Sequence, residues 1–272
     1  MLALIIDMHV HLSQRLPEAE WLCRQWPNTP SFELTAEQFI DKMNNANPKI
    51  DKAVVFGFRS LTSETPEIMK QDNDYVLETV AKYPDRYIGA ALIDPSWGSK
   101  SIRELNRTIK AGLRIVKVKF TSVHFPANCK GAVNLFKEID NLGALPVCHT
   151  DWTHWCHPSI LGELAEKFPD TKIVMQHFGL SQSLDVISVA KRLPNVYADT
   201  SAVIHPRNIL RFIKEVSQER IMYASDTIRS TEHFQPQEEL NRVQCLNLSK
   251  EIEEKVFSSN ARTLLKSVGV EL

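Results

Sequence analysis

The chain has 272 residues and a mass of 31.0 kDa, a length at which an α/β barrel of roughly 250 residues folds as one unit. Its 32 basic and 33 acidic side chains nearly cancel, with a pI near 6.8, so there is no electrostatic footprint for nucleic acid or an anionic membrane, and a small molecule is the expected partner. The five cysteines, Cys23, Cys129, Cys148, Cys156 and Cys245, are odd in number, scattered and free of any Cys-x-x-Cys pair, which speaks against a disulfide framework or a thiolate zinc knot.

The apolar start, Leu2 to Ile6, is broken by Asp7 and has no basic flank, too short for a secretory signal. No stretch of about 20 apolar residues follows that could span a bilayer. A cytoplasmic protein is the expectation, and a homo-oligomer is compatible with it.

Eight strand-like runs recur along the chain: Ala3 to Met8, Lys52 to Gly57, Tyr87 to Ile93, Ile115 to Phe120, Leu145 to His149, Lys172 to Phe178, Val196 to Thr200 and Arg220 to Ser225. Most are nearly continuous and rich in Val and Ile, the pattern of parallel strands covered on both faces. Helical patterns lie between them. Thr35-Ala-Glu-Gln38 is a capping box, Asp72 to Lys82 carries its apolar residues at helical spacing, and Ser101 to Ala111 and Lys130 to Leu142 each stop at a glycine. Pro158 to Phe168 opens on proline. The tail from Gln235 reads as two helices, the second over Ser258 to Lys266. Eight strands alternating with helices predict a (β/α)₈ TIM barrel, one domain over residues 1–272; the rival doubly wound sheet lacks its Gly-x-Gly-x-x-Gly phosphate loop.

The strand ends carry the chemistry. His9 and His11 sit two apart, so a strand points both imidazoles the same way. The fifth run ends on His149, the sixth reaches His177, and the eighth leads to Asp226. In a parallel barrel all of these lie on the carboxyl rim, where barrel enzymes keep their active sites. Imidazoles and a carboxylate converging without thiolates form a divalent-metal site, zinc above all, with manganese or iron as alternatives. The long connection from Ser13 to Ser31 is placed to cover it.

Aligned in this way, the chain resembles the amidohydrolase superfamily, particularly the branch related to aminocarboxymuconate-semialdehyde decarboxylase. The resemblance rests on Ile6-Asp7-Met8-His9-Val10-His11, Ile93-Asp94-Pro95, His149, His177-Phe178-Gly179, Asn195-Val-Tyr-Ala-Asp199-Thr-Ser201, Ser225-Asp226 and Asn260-Ala-Arg262-Thr-Leu-Leu265. It implies one divalent ion held by His9, His11, His149 and Asp226, with His177, and in some members Asp226, managing a proton. Two-metal members bridge their ions with a carboxylated lysine on the fourth strand. Lys117 matches the lysine that this branch generally leaves unmodified, so one ion is expected; with a bridge, His149 and His177 would bind the second.

Several residues are candidates for substrate contact: Arg59 and Arg229 as carboxylate clamps, Lys119 near the rim, and Trp152 and His154 in the aromatic loop after His149. After Asp226 the branch often has an aromatic residue and a proline, whereas this chain reads Thr227-Ile228-Arg229. His157 before Pro158 reads as a helix cap. The expected reaction is hydrolysis of a small-molecule amide or lactone by metal-activated water; the alternative is non-oxidative decarboxylation of an aromatic or dienoic acid. A barrel that binds metal without catalysis is the third reading, disfavoured because a proton-transfer histidine remains beside a filled ligand set.

Overall fold

The computed structural model describes residues 4–13, 34–58, 65–118, 120, 124–228 and 235–272. Its strands are β1 (Ile6–Leu12), β2 (Lys52–Gly57), β3 (Tyr87–Ile93), β4 (Ile115–Val118), β5 (Leu145–His149), β6 (Ile173–Gln176), β7 (Val196–Asp199) and β8 (Ile221–Met222), each parallel to the next. Between them run α1 (Ala36–Asn45), α2 (Pro66–Lys82), α3 (Ser99–Lys110), α4 (Lys130–Asn141), α5 (Pro158–Lys167), α6 (Ser183–Arg192) and α7 (Arg207–Glu215). After β8 come α8 (Pro236–Gln244), α9 (Lys250–Glu254) and α10 (Asn260–Lys266), the last two joined through a π-helical turn at Lys255–Ser259. This is a (β/α)₈ TIM barrel. No helix among the described residues is long and apolar enough to cross a membrane.

The barrel closes where β8 meets β1. Met8 N–H donates to the Tyr223 carbonyl at 3.1 Å, Asp226 N–H to His9 at 2.9 Å and His11 N–H to Thr227 at 3.0 Å. A register shift between Asp7 and Val10 interrupts the β1–β2 ladder. Its effect is seen in the two apolar clusters: Ile6 and Met8 fill the barrel interior with Phe56, Val147, Val174 and Met222, whereas Val10 and Leu12 join the outer layer under the helices. Strict alternation would have put all four on one face. The bulge reverses the phase, so His9 and His11 take over the inward direction.

Helix ends follow sequence chemistry. Thr35 and Gln38 form the expected reciprocal capping box on α1. The ring of His157 accepts from Ser159 N–H and caps α5. Helix α2 begins six residues earlier than the apolar periodicity indicates, because Thr65 caps it, Pro66 is pre-set for the first turn and Glu67 meets the positive helix end. The tail holds three helices rather than two. Asn260 explains part of its motif, since its Nδ2 donates to the Gln218 and Ile221 carbonyls at 2.7 and 2.8 Å. That bond ties the chain end to β8 while Ala261, Leu264 and Leu265 pack into the barrel interior.

Candidate metal centre

Strands β1 and β8 bring three ligand-type side chains together at the carboxyl rim. His9 Nε2 lies 3.2 Å from His11 Nε2 and 3.0 Å from Asp226 Oδ1, and His11 Nε2 lies 3.4 Å from the same oxygen. All three residues are buried. Ligand atoms about 2.0–2.2 Å from one ion at tetrahedral angles stand about 3.3–3.6 Å apart, so the observed triangle is within a few tenths of an ångström of a coordination face. The far ring nitrogens are occupied: His9 Nδ1 faces Asp199 Oδ2 at 3.2 Å and His11 Nδ1 faces the Gly57 carbonyl at 3.4 Å. Such outer partners turn the Nε2 lone pairs inward. Two bare nitrogens and a carboxylate oxygen aimed at one another repel unless positive charge lies between them, and the donor set therefore fits a divalent ion.

The electrostatics agree. For Asp226, burial would raise the pKa, but His9, His177 and His11 outweigh it and hold the carboxyl well below its usual range. Burial and Lys117 work to lower His9, yet Asp226 and Asp199 leave it above its ordinary value, while burial drives His11 down to about 4. The cluster thus has a place for one positive charge, a proton or a cation.

His177 stands beside it. Its Nδ1 is 3.8 Å from Asp226 Oδ2, and its ring centroid is 4.8 Å from that of His9 and 4.5 Å from that of His149. Burial pushes it well below the usual histidine range, so the ring is neutral at neutral pH. Backbone strain gathers here: His177, Phe178, Leu180, Ala202 and Asp226 all have φ between 47° and 62°, a region that non-glycine residues enter at a cost of order 1–3 kcal/mol each. In the same turn Gly179 has φ 72°, and a Cβ there would meet Val186 at 2.9 Å.

His149, expected among the ligands, is turned elsewhere. Its Nε2 makes a 3.0 Å contact with Asp151 Oδ2 and it is not part of the triangle, although its ring packs against His177. With Asp151 and the buried Cys156 it forms a second group of ligand-type atoms. Lys117 is buried below the cluster, where its ammonium donates to Gln176 Oε1 and lies 5.1 Å over the Phe56 ring; burial lowers it to about 8. Trp152 is 61% exposed and His154 packs its ring on Trp155 at 3.7 Å, so neither joins the hydrogen-bonded cluster. Arg59, Lys119, Arg229 and most of the Ser13–Ser31 connection lie outside the described residues.

Two residues without an assigned role prove central. Asp199, at the end of β7, accepts from His9 through Oδ2, while its Oδ1 accepts from the backbone N–H of His177 at 2.8 Å and from Ser201 N–H and Oγ at 3.1 and 2.7 Å. Their signal was an acid at a strand's carboxyl end followed two residues on by a hydroxyl.

Fold and rim geometry together define a (β/α)₈ barrel with a candidate divalent-metal centre built on β1 and β8. The chain belongs to the amidohydrolase family: the Amidohydro_2 model, described as Amidohydrolase, matches residues 6–266. No curated protein matches it. Among solved structures it is similar to a 2,6-dihydroxybenzoate decarboxylase from Rhizobium, at 15% identity and a TM-score of 0.75 over 97% of this chain and 98% of that one. It is similar also to a 5-carboxyvanillate decarboxylase from Novosphingobium aromaticivorans with bound manganese, at 16% identity and a TM-score of 0.75 over 97% of each chain. An uncharacterized TIM-barrel protein from Bordetella bronchiseptica aligns at 19% identity and a TM-score of 0.77 over 98% and 99% of the two chains. These likenesses show the fold. They also correct the expected reaction, because the similar structures whose substrate is named are decarboxylases of aromatic acids and not amide or lactone hydrolases. The sequence reading misjudged this because one ligand set serves both chemistries.

Proposed function

We propose that the protein is a metal-dependent decarboxylase of a hydroxylated aromatic acid, acting through one divalent ion, zinc or manganese, held by His9, His11 and Asp226; His149, whose Nε2 faces Asp151, would join them only once its ring turns from that carboxylate. What carries the reading is the neutral, buried His177 imidazole beside a two-histidine, one-carboxylate cluster, in a chain that follows aromatic-acid decarboxylases along nearly its whole length. The ion would supply positive charge to a substrate oxygen as electrons move into the ring. Asp226, held well below the usual carboxylate range by His9, His177 and His11, serves as a ligand and not as a proton donor.

His177 manages the proton in this reading. As a neutral base its Nε2 takes the proton of a hydroxyl ortho to the carboxylate, then returns it to the ring carbon that bears the carboxylate. The bond from that carbon to the carboxylate breaks, its electron pair restores the aromatic ring, and CO2 leaves. An imidazolium of depressed pKa is a strong acid, which protonating a weakly basic carbon requires. Among the described residues Gln176 Nε2 finds no partner, so Gln176 and Lys117 offer donors below the cluster.

The test is a panel of 2,6-dihydroxybenzoate and other hydroxybenzoates with manganese- or zinc-loaded protein, following CO2 and loss of acid together. Release of CO2 in equal amount to acid consumed is expected. Failure of every acid with both metals would overturn the reading.

A further inference from the structure

A hydroxyl has one proton, and the Ser201 hydroxyl has three polar neighbours. They are Asp199 Oδ1 at 2.7 Å, His177 Nδ1 at 3.2 Å and His9 Nδ1 at 3.3 Å. Asp199 Oδ1 is already surrounded by groups that only donate, the backbone N–H of His177 and of Ser201. It is therefore an acceptor, and the shortest of the three contacts places the Ser201 proton on it. Only lone pairs are left on Ser201 Oγ to meet the two imidazoles. Each Nδ1 must then carry a hydrogen.

We infer that Ser201, held by Asp199, is a positioning residue that sets the tautomer of His177, keeping hydrogen on Nδ1 and leaving Nε2 bare as the atom that takes and returns the proton. The inference deepens the decarboxylase reading and rests on it for the role of that proton. The same hydroxyl meets Nδ1 of His9, whose other partner is Asp199 Oδ2, so one seryl oxygen links a proposed metal ligand to the proposed proton carrier. Ser201, Asp199 and His9 are fully buried and His177 is 4% exposed, so water does not compete for these bonds and the hydrogen-bond order decides the tautomer. The turn beyond β6 cooperates: His177 has φ 62°, and its backbone N–H is fastened to Asp199 Oδ1. One carboxylate oxygen thereby orients both the backbone of His177 and the hydroxyl that reads its ring.

The experiment is a two-bond ¹H–¹⁵N correlation spectrum of the ¹⁵N-labelled, zinc-loaded full chain, with the His177 signals identified by their absence in His177→Asn. Wild-type protein should show His177 with a protonated Nδ1 and a bare Nε2, a measurement that needs no variant at Ser201. In Ser201→Ala the tautomer should shift toward Nε2–H and kcat on the accepted acid should fall roughly 10- to 100-fold, the usual cost of losing such an outer partner, with KM little changed. Ser201→Thr, which keeps the hydroxyl, should restore both. A wild-type His177 protonated on Nε2, or a tautomer unmoved in a folded Ser201→Ala, overturns the inference. Because the tautomer is read without turnover, an absence of CO2 release would sink the decarboxylase reading alone.

Discussion

His9, His11 and Asp226 meet through their metal-facing atoms, and the cost of removing one differs from that of removing their neighbour His177. His11→Ala or Asp226→Ala takes away one corner of a buried triangle and leaves the other atoms facing each other without their full set of donors. Each variant should lose its divalent ion, read as less than about a tenth of an equivalent by elemental analysis against about one in the wild type. Full retention in both would dismantle the site. His177→Asn keeps a polar side chain of similar reach but cannot exchange a proton near neutral pH; it should keep the ion and lose roughly 10²- to 10⁴-fold in turnover. Loss of metal with activity would make His177 a ligand instead. These four residues were legible because each closes, or directly follows, an apolar run. Asp199 and Ser201 offered only the weak signal of an acid at a strand's end with a hydroxyl two residues on, since their contacts to His9, 190 and 192 residues away on β1, and that of Ser201 to His177 on the neighbouring turn leave no mark in the local sequence.

Among the strands at the site, β1 runs further than its apolar run indicates. Its apolar run predicts a strand ending at Met8, yet the strand continues to Leu12 through both histidines, because the bulge lets it change face without ending. Asp7 stabilises that bulge. Its Oδ1 accepts from His9 N–H at 3.1 Å and from Ser225 N–H at 2.9 Å, and so fastens the residue before Asp226 to the strand carrying His9 and His11. Asp7→Ala would orphan two fully buried backbone donors, each worth about 1–3 kcal/mol. Urea unfolding should show a loss on the order of 2–4 kcal/mol, with metal affinity weakened alongside. Asp7→Asn, which keeps an acceptor oxygen, should recover most of both; equal losses in the two variants would mean that packing rather than hydrogen bonding is at stake. The remaining strands and helix caps were readable because barrel layers impose simple periods; helices α6 and α7 were passed over, neither having a side-chain cap, although Pro206 at the start of α7 is a signal like Pro158.

At the scale of the molecule, periodicity reveals the barrel and its active rim, but the reaction depends on which substrate atom faces the metal, which no residue spacing encodes. The shell between β1, β8 and α8 has a consequence for the whole fold that can be measured. Glu239, on α8, is 1% exposed; its Oε1 lies 3.4 Å from Arg242, and its Oε2 finds no partner among the described residues. Burial, reinforced by Asp226, Asp199 and Asp7 against the pull of Arg242, raises its pKa from 4.5 to about 8. Below pH 4.5 folded and unfolded chains both hold this proton, and the fold bears no penalty from it. Between 4.5 and about 8 the unfolded chain releases the proton while the folded chain keeps it, so stability falls as pH rises and levels off above 8. Asp7, raised to about 7 by burial, acts in the same direction. These two acids therefore impose a decline in melting temperature from pH 5 to pH 8, set against the opposite trend from His11 and His177, whose lowered pKa values add stability as pH rises through about 6.5. Glu239→Gln should flatten that decline and add on the order of 2 kcal/mol at pH 8, a deliberately discounted share of the 1.4 kcal/mol or so per pKa unit that linkage allows, since the new amide must itself find a partner. Thermal unfolding of both proteins at unit pH steps decides it: a parallel decline in the variant would assign the pH dependence to Asp7 and the metal cluster, and leave Glu239 as a packed, silent acid.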